Sequence, residues 1–283
     1  SPLISRNKLI GIIYVDTKPE GTFFSNEDLN LLSNITSQIA IAIENARAYT
    51  ATKEEVNELR KKVQADCKII GESKEMLSLL ENVKKVANSN ATVLISGETG
   101  TGKGLLSQVI HYESNRRNKP FVFIDCAAIS ENLLESELFG HEKGAFTGAD
   151  KLKLGKFEVA NEGTLFLDEI GNISHSIQMK LLKVLEEKKF TRVGGIKLVN
   201  VNVRIIAATN KNLETLVKEG VFRQDLFYRL SVVPLTIPPL RERLHDIPLL
   251  LDFYFNRFKD ETAKGIKGIT DNALKILKNY NWP

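Results

Sequence analysis

Gly97-Glu98-Thr99-Gly100-Thr101-Gly102-Lys103 follows an apolar strand pattern and opens a helical one. A loop of this composition offers backbone N–H groups to phosphate oxygens, and the helix N-terminus behind it adds positive potential. Lys103 would reach the β- and γ-phosphates. Gly104 stands where a Ser or Thr hydroxyl usually closes such a loop as a magnesium ligand. Gly163-Thr164-Leu165-Phe166-Leu167-Asp168-Glu169 supplies the acidic partner. Its apolar positions place Asp168 and Glu169 at the C-terminal end of a buried strand, where open α/β sheets bind their ligands. There Asp168 would hold magnesium, directly or through water, and Glu169 would polarise an attacking water within about 3 Å. Phosphoryl transfer depends mostly on positioning and charge neutralisation, so a small set of groups can suffice for it.

Two further stretches leave alternatives open. Val203–Asn210 reads as a third strand ending in Thr209 and Asn210. Either would orient the water or sense the γ-phosphate, and either would equally cap the next helix. Phe222–Leu230 carries Arg223 and Arg229, which on a helix point about 240° apart. Arginine suits phosphate charge, and one supplied by a neighbouring subunit accelerates hydrolysis; the alternative is a surface salt bridge. His111, His141, His175 and His245 show no paired metal-ligand spacing and read as surface or capping residues. Nothing resembles a nucleophile–base pair for acyl transfer.

Ser136–Asp150 (SELFGHEKGAFTGAD) is the most unusual stretch. Gly140, Gly144 and Gly148 recur every four residues, and each glycine costs about 1 kcal/mol inside a helix or strand. A flexible tip carrying Phe146 and Thr147 is what a protruding contact loop needs; an ordinary glycine-rich turn is the alternative. Its place between two nucleotide-binding motifs favours the contact loop.

The elements that must position these residues are legible around them. Leu9–Val15 reads as a buried strand, followed by a turn at Lys18–Thr22. Ser25, with Asp28 three residues on, reads as a capping box for a helix running through Ala46. Tyr49, Thr52, Val56, Leu59 and Val63 then form a heptad seam of about two repeats, fitting either a solvated linker helix or a dimerising signalling helix. From Lys68, helices expected at Lys74–Asn88, Leu105–Glu113, Ser176–Glu187 and Leu213–Glu219 alternate with strands at Thr92–Ile95, Phe121–Asp125, Thr164–Leu167 and Val203–Ala207. That alternation predicts a parallel sheet covered on both faces. After Pro238-Pro239 only helices follow, at Asp246–Lys259 and Thr270–Asn279.

The 283 residues are 42% apolar and 26% charged, a soluble globular composition with a net charge of +4. That charge alone does not argue for nucleic-acid binding, because the basic residues are interspersed with acidic ones. Cys67 and Cys126 lack metal spacing and suggest a reducing, cytosolic setting. No apolar run approaches the roughly 20 residues of a membrane span, and no signal peptide opens the chain. Both ends read as mid-domain sequence, so a fragment is expected.

From about Ile69 to Pro283 the chain resembles the central AAA+ ATPase domain of sigma-54-dependent transcriptional activators, the bacterial enhancer-binding proteins. GETGTGKG (Gly97–Gly104) resembles the family's Walker A and GTLFLDEIG its Walker B. ELFGHEKGAFTGA carries its signature loop, and FRQDLFYRL, PPLRERLHDIP and NYNWP also match. The first 48 residues resemble the C-terminal part of a GAF sensor domain. The expected domains are therefore a GAF-like segment over 1–48, a linker helix over 49–67, an α/β ATPase subdomain over 68–237 and a partial helical lid over 238–283.

The resemblance implies ATP and Mg2+ as cofactors, bound by Gly97, Glu98, Thr99, Gly100, Thr101, Gly102, Lys103, Gly104, Asp168 and Glu169. It implies a ring, usually hexameric, that hydrolyses ATP between subunits, with Arg223 and Arg229 completing a neighbour's site and Thr209 and Asn210 matching sensor I. Gly144, Ala145, Phe146, Thr147, Gly148 and Ala149 would contact sigma-54 and remodel its RNA polymerase complex. DNA binding would require a downstream helix-turn-helix that this chain does not include, and the setting would be cytoplasmic. Two departures stand out. Asp125 replaces the family's usual Asn, thought to switch Glu169 by hydrogen bonding; an ionised Asp cannot donate, and two nearby carboxylates would raise one pKa. Gly104 replaces the usual Glu. The competing readings are another AAA+ remodelling ATPase, disfavoured by the GAFTGA run, and a nucleotide-binding scaffold without turnover, disfavoured by intact Lys103, Asp168 and Glu169.

Overall fold

The computed structural model describes residues 2–5, 8–16, 24–259 and 268–282, with side chains left undescribed at 57 and 59–66. The chain forms two units, Ser1–Asp66 and Cys67–Pro283.

In the first unit, β1 (Pro2–Ser5) pairs antiparallel with β2 (Lys8–Ile12), and one long helix, α1 (Asn26–Asp66), follows. The capping box forms as expected: Ser25 N donates to Asp28 Oδ2 at 2.8 Å and Asp28 N to Ser25 Oγ at 3.2 Å. The expected strand is shorter than Leu9–Val15 and is not buried; Leu9 and Ile12 are exposed, and among the described residues of this unit only Leu3 of the hairpin and Ala40 of the helix are buried apolar residues. Lys18–Thr22 lies outside the described residues. No Gly or Pro interrupts Asn26–Asp66, so the helix runs on through Tyr49 without the expected division. Tyr49, Thr52 and Val56 are exposed along it. Leu59 and Val63 fall outside the described side chains.

The second unit opens with α2 (Lys74–Ala87), β3 (Val93–Ser96), α3 (Lys103–Tyr112), β4 (Phe121–Asp125) and α4 (Glu131–Phe139). Then come β5 (Gly140–His141), β6 (Lys153–Leu154), α5 (Lys156–Val159), β7 (Thr164–Asp168), α6 (His175–Glu187), β8 (Lys189–Thr191) and β9 (Leu198–Asn200). It closes with β10 (Arg204–Thr209), α7 (Leu213–Lys218), α8 (Gln224–Leu230), β11 (Val233–Thr236), α9 (Ile247–Phe258) and α10 (Asp271–Asn279). Five strands form a parallel sheet in the order β11-β3-β10-β7-β4.

Side chains alternate across a strand, and both faces here are apolar. Leu94, Leu165, Leu167, Ile205 and Ala207 pack under α4–α8. Val93, Ile95, Phe166, Ile206 and Ala208 pack under α2 and α3. Two-sided burial is what an all-parallel sheet requires, and it brings the C-terminal ends of β3, β7 and β10 to one edge. No helix among the described residues is long and apolar enough to cross a membrane.

Ser136–Asp150 is not one irregular run. Ser136–Phe139 complete α4, and Gly140–His141 pair with Lys153–Leu154 to clamp the base of a shorter loop. The approach of these two segments is close. A Cβ on Gly155 would lie 2.4 Å from the Phe139 carbonyl carbon, and one on Gly140 2.4 Å from Lys153 O.

Candidate functional site

Between β3 and α3 the chain turns through Gly100 (φ 84°) and Gly102 (φ 100°), left-handed conformations that side chains other than glycine adopt at a cost. Gly102 precedes α3 and caps it with no side chain, so the first-turn N–H groups face the loop. Lys103 opens the helix and is buried. Its Nζ donates to Gly97 O at 3.1 Å and Glu98 O at 3.3 Å and lies 3.3 Å from Glu169 Oε1.

Glu169 follows the last residue of β7 with φ 51°, a left-handed conformation unusual for a non-glycine residue. Strained backbone of this kind clusters at functional sites. Its Oε2 accepts from Asn210 N at 3.2 Å, and Asn210 Nδ2 donates to Thr99 Oγ1 at 3.1 Å. Thus Thr99, Lys103, Glu169 and Asn210 come together from the phosphate loop and the ends of β7 and β10.

Thr209 does not join them. It is buried, and its Oγ1 accepts from Lys211 N. Neither residue caps α7; Asn212 does so, accepting from Thr215 N at 3.0 Å.

Asp168 accepts from Glu169 N at 3.0 Å and sits opposite Asp125 in the β4–β7 register. Burial first, then the charges of Glu169 and Asp125, push its carboxyl above the usual Asp range, against the Glu169 N–H and Lys103. Asp125 Oδ1 accepts from Ala127 N at 2.8 Å and Ala128 N at 3.3 Å. Its described hydrogen bonds are therefore to its own loop, and Glu169 is held by Lys103 and Asn210 instead. The same burial and carboxylates push the Cys126 thiol up to about 12. At Gly104 the nearest heavy atom to an added Cβ is Phe166 Cε1 at 4.0 Å, so a side chain has room there.

Arg223 precedes α8 rather than lying on it, so the helical angle expected between it and Arg229 does not apply. It pairs with Asp225 at 2.6 Å, the salt bridge left open above. Arg229, in the last turn of α8, donates to Leu185 O at 3.4 Å. Sequence reasoning missed the residue that fixes this corner. Gln178 is fully buried, donates from Nε2 to Ile173 O and Val221 O, and accepts from Arg223 N at 2.8 Å.

Two of the histidines expected as surface or capping residues are buried. His111 pairs with Thr164 Oγ1 at 2.9 Å and His141 with Ser136 Oγ at 2.7 Å. His141 also supports the glycine-rich loop, its ring meeting Phe146 edge-on at 4.9 Å. Phe146 is 42% exposed. Thr147 is exposed, while Ala149 is buried beneath. Gly144 N donates to Ala149 O at 2.8 Å and closes the loop, and Gly194 from the β8–β9 turn packs against Ala145.

A cavity of about 250 Å3 adjoins the phosphate loop at Gly100–Gly102. Ile69 and Ile70 line it from before α2, and Leu240, Phe253 and Tyr254 line it from the helical region. Its apolar lining beside a phosphate loop suits a flat heteroaromatic ring, and the sequence motifs gave no sign of it.

A family profile described as the sigma-54 interaction domain matches residues 69–236, an AAA+ ATPase lid domain profile matches 241–283 and a GAF domain profile matches 1–43. The chain belongs to the sigma-54 interaction domain family of AAA+ ATPases. It is 47% identical over 266 residues to a Nif-specific regulatory protein of Azotobacter vinelandii, covering 94% of this chain and 51% of that protein. It is 50% identical over 252 residues to a signal-transduction and transcriptional-control protein of Clostridium beijerinckii, covering 89% and 40%. The chain thus spans about half or less of these relatives. Among solved structures, NtrX from Brucella abortus in complex with ADP superposes with a TM-score of 0.73 at 36% identity, covering 92% of this chain and 55% of that one.

Proposed function

We propose that this chain is the ATP-hydrolysing part of a cytoplasmic sigma-54-dependent transcriptional activator. The observation that carries the reading is the convergence of Lys103, Glu169, Asn210 and Thr99 at one end of the parallel sheet. The NtrX neighbour has structures in complex with ADP and with ATP, which supports ATP as the nucleotide. The phosphate-loop N–H groups and Lys103 bind the β- and γ-phosphates, and the apolar cavity takes the adenine. Glu169 accepts the proton of the attacking water, and Asn210 holds Glu169 and the loop in register.

Mg2+ fits the donor set. Asp168 is a hard oxygen ligand whose ionised form is disfavoured by burial and by two neighbouring carboxylates, so a divalent cation there relieves a real electrostatic cost. No group of three His, Cys, Asp or Glu side chains that could hold a metal occurs among the described residues, so Asp168 would hold the cation together with phosphate and water oxygens. The cation neutralises phosphate charge when bound.

Arg223 and Arg229 act on the site of a neighbouring copy in a ring. The GAF-like unit and α1 bring a signal to that ring, and the Phe146–Thr147 tip engages sigma-54 and its RNA polymerase. Glu169→Gln is expected to lower ATP turnover at least about 100-fold with ATP affinity kept. Thr147→Ala is expected to keep turnover and lose sigma-54 engagement. Full turnover in the first variant, or retained open-complex formation in the second, contradicts the corresponding assignment.

A further inference from the structure

Glu98, the second residue of the phosphate loop, carries two sets of bonds. Its carbonyl accepts from Thr101 Oγ1 at 2.8 Å and Lys103 Nζ at 3.3 Å, closing the loop on itself. Its carboxylate is gripped by both arms of Arg241, with Nη1 to Oε2 at 2.7 Å and Nη2 to Oε1. The pair holds the Glu98 carboxyl below the usual range, the Arg241 hydrogen bond being the first cause.

Arg241 lies in the 3-10 turn Leu240–Glu242, at the start of the helical region. Its Nη1 also reaches Trp282 O at 3.4 Å, and Trp282 Nε1 donates to Leu277 O of α10 at 2.9 Å. Two residues on, Arg243 donates to Thr101 O at 3.4 Å. One guanidinium therefore joins the phosphate loop to both ends of the helical region.

Exposed ion pairs add little to fold stability, so the consequence of this one lies in what it connects. A bidentate fork fixes direction as well as distance. An unpaired Glu98 carboxylate would also repel an arriving polyphosphate, whereas the paired one is neutralised. Phosphate on the loop therefore favours the paired state, and the paired state favours phosphate, since such coupling is reciprocal.

We infer that Arg241 is a positioning residue, and that the Glu98–Arg241 pair couples nucleotide on the phosphate loop to closure of the helical region over the adjoining cavity. The inference rests on the nucleotide reading above. The test uses the full chain and ADP as the probe, comparing wild type, Arg241→Glu, Arg241→Gln and the swapped double variant Glu98→Arg/Arg241→Glu. Affinity is read by titration, and closure by hydrogen exchange over residues 240–258 with and without ADP.

Arg241→Glu is expected to weaken ADP about tenfold and to remove the ADP-dependent protection. Arg241→Gln is expected to do so less, and the swap to restore both to within about threefold of wild type. Rescue by the swap is a result a purely structural arginine would not give. Single variants within about twofold of wild type, or a swap no better than Arg241→Glu, overturn the linkage while wild-type binding leaves the nucleotide reading intact. A wild-type chain that binds neither ADP nor ATP overturns that reading and the linkage with it.

Discussion

Arg192 holds Glu158 by two arms, Nη2 at 2.5 Å and Nε at 2.8 Å, and its third reaches Glu142 at 2.8 Å. One guanidinium between β8 and β9 thus ties α5 to the base of the Phe146 loop. Arg192→Ala leaves Glu158 largely buried without its main partner. The expected cost is about 2 kcal/mol of stability, with ATP binding retained and sigma-54 engagement reduced at least about tenfold. Thermal melting alongside a sigma-54 pull-down reads both, and wild-type engagement in this variant would separate the network from the loop.

The same pair sets a pH dependence. The Arg192 hydrogen bond holds the Glu158 carboxyl below the usual Glu range. Its stabilising contribution is therefore complete above the ordinary value, about 4.3, and is lost as pH falls through the depressed one. The melting-temperature gap between wild type and Arg192→Ala should be constant from pH 7 to about 5 and shrink below about 4. A gap that widens on acidification contradicts the assignment.

For Asp168 the sign is opposite. Its carboxyl is raised by burial and by the neighbouring charges, so its ionised form opposes folding at neutral pH and stability is gained as pH falls through the raised value. Asp168→Asn keeps an oxygen for the Glu169 N–H and removes the charge. The variant is expected to melt at or above wild type while losing Mg2+-dependent turnover. A lower melting temperature would mean that the carboxylate stabilises the fold.

Gly155→Ala tests the clamp beneath the loop. The added Cβ would meet Phe139 and Gly140 backbone within 2.5 Å, and backbone there has nowhere to move without breaking the β5–β6 pairing. Destabilisation of about 2 kcal/mol or more is expected, read as a lower denaturant midpoint. By contrast Gly104→Glu, where the site is open, should melt like wild type.

What the sequence made legible was local. β4 falls on Phe121–Asp125 as expected, because an apolar run bounded by Pro120 and a small-residue stretch has few alternatives. The phosphate loop and the Asp168–Glu169 strand end are fixed by glycine spacing and burial. What stayed hidden depends on distant partners. His111 and His141 are buried because Thr164 and Ser136 satisfy them, and no pattern around either histidine signals this. The cavity joins Ile69 to Tyr254, and Asp246 anchors Glu72 and Ser73 by accepting their N–H groups at 2.8 Å. Periodicity carries no information about such meetings. Of Thr209 and Asn210, only Asn210 meets Glu169 and Thr99, because Thr209 is turned into the core.

Under the proposed function, ATP is hydrolysed between copies of this chain. ATP turnover per protomer, measured against protein concentration for wild type and Arg223→Ala, tests it most directly. Arg223 is half-buried and its side chain bonds only to Asp225 in the described contacts, so the variant should fold and bind ATP normally. The account predicts a specific rate that rises with wild-type concentration and a variant that stays at least about 100-fold lower throughout. A rate independent of concentration and unchanged by Arg223→Ala would mean that each chain carries a complete site, and would contradict it.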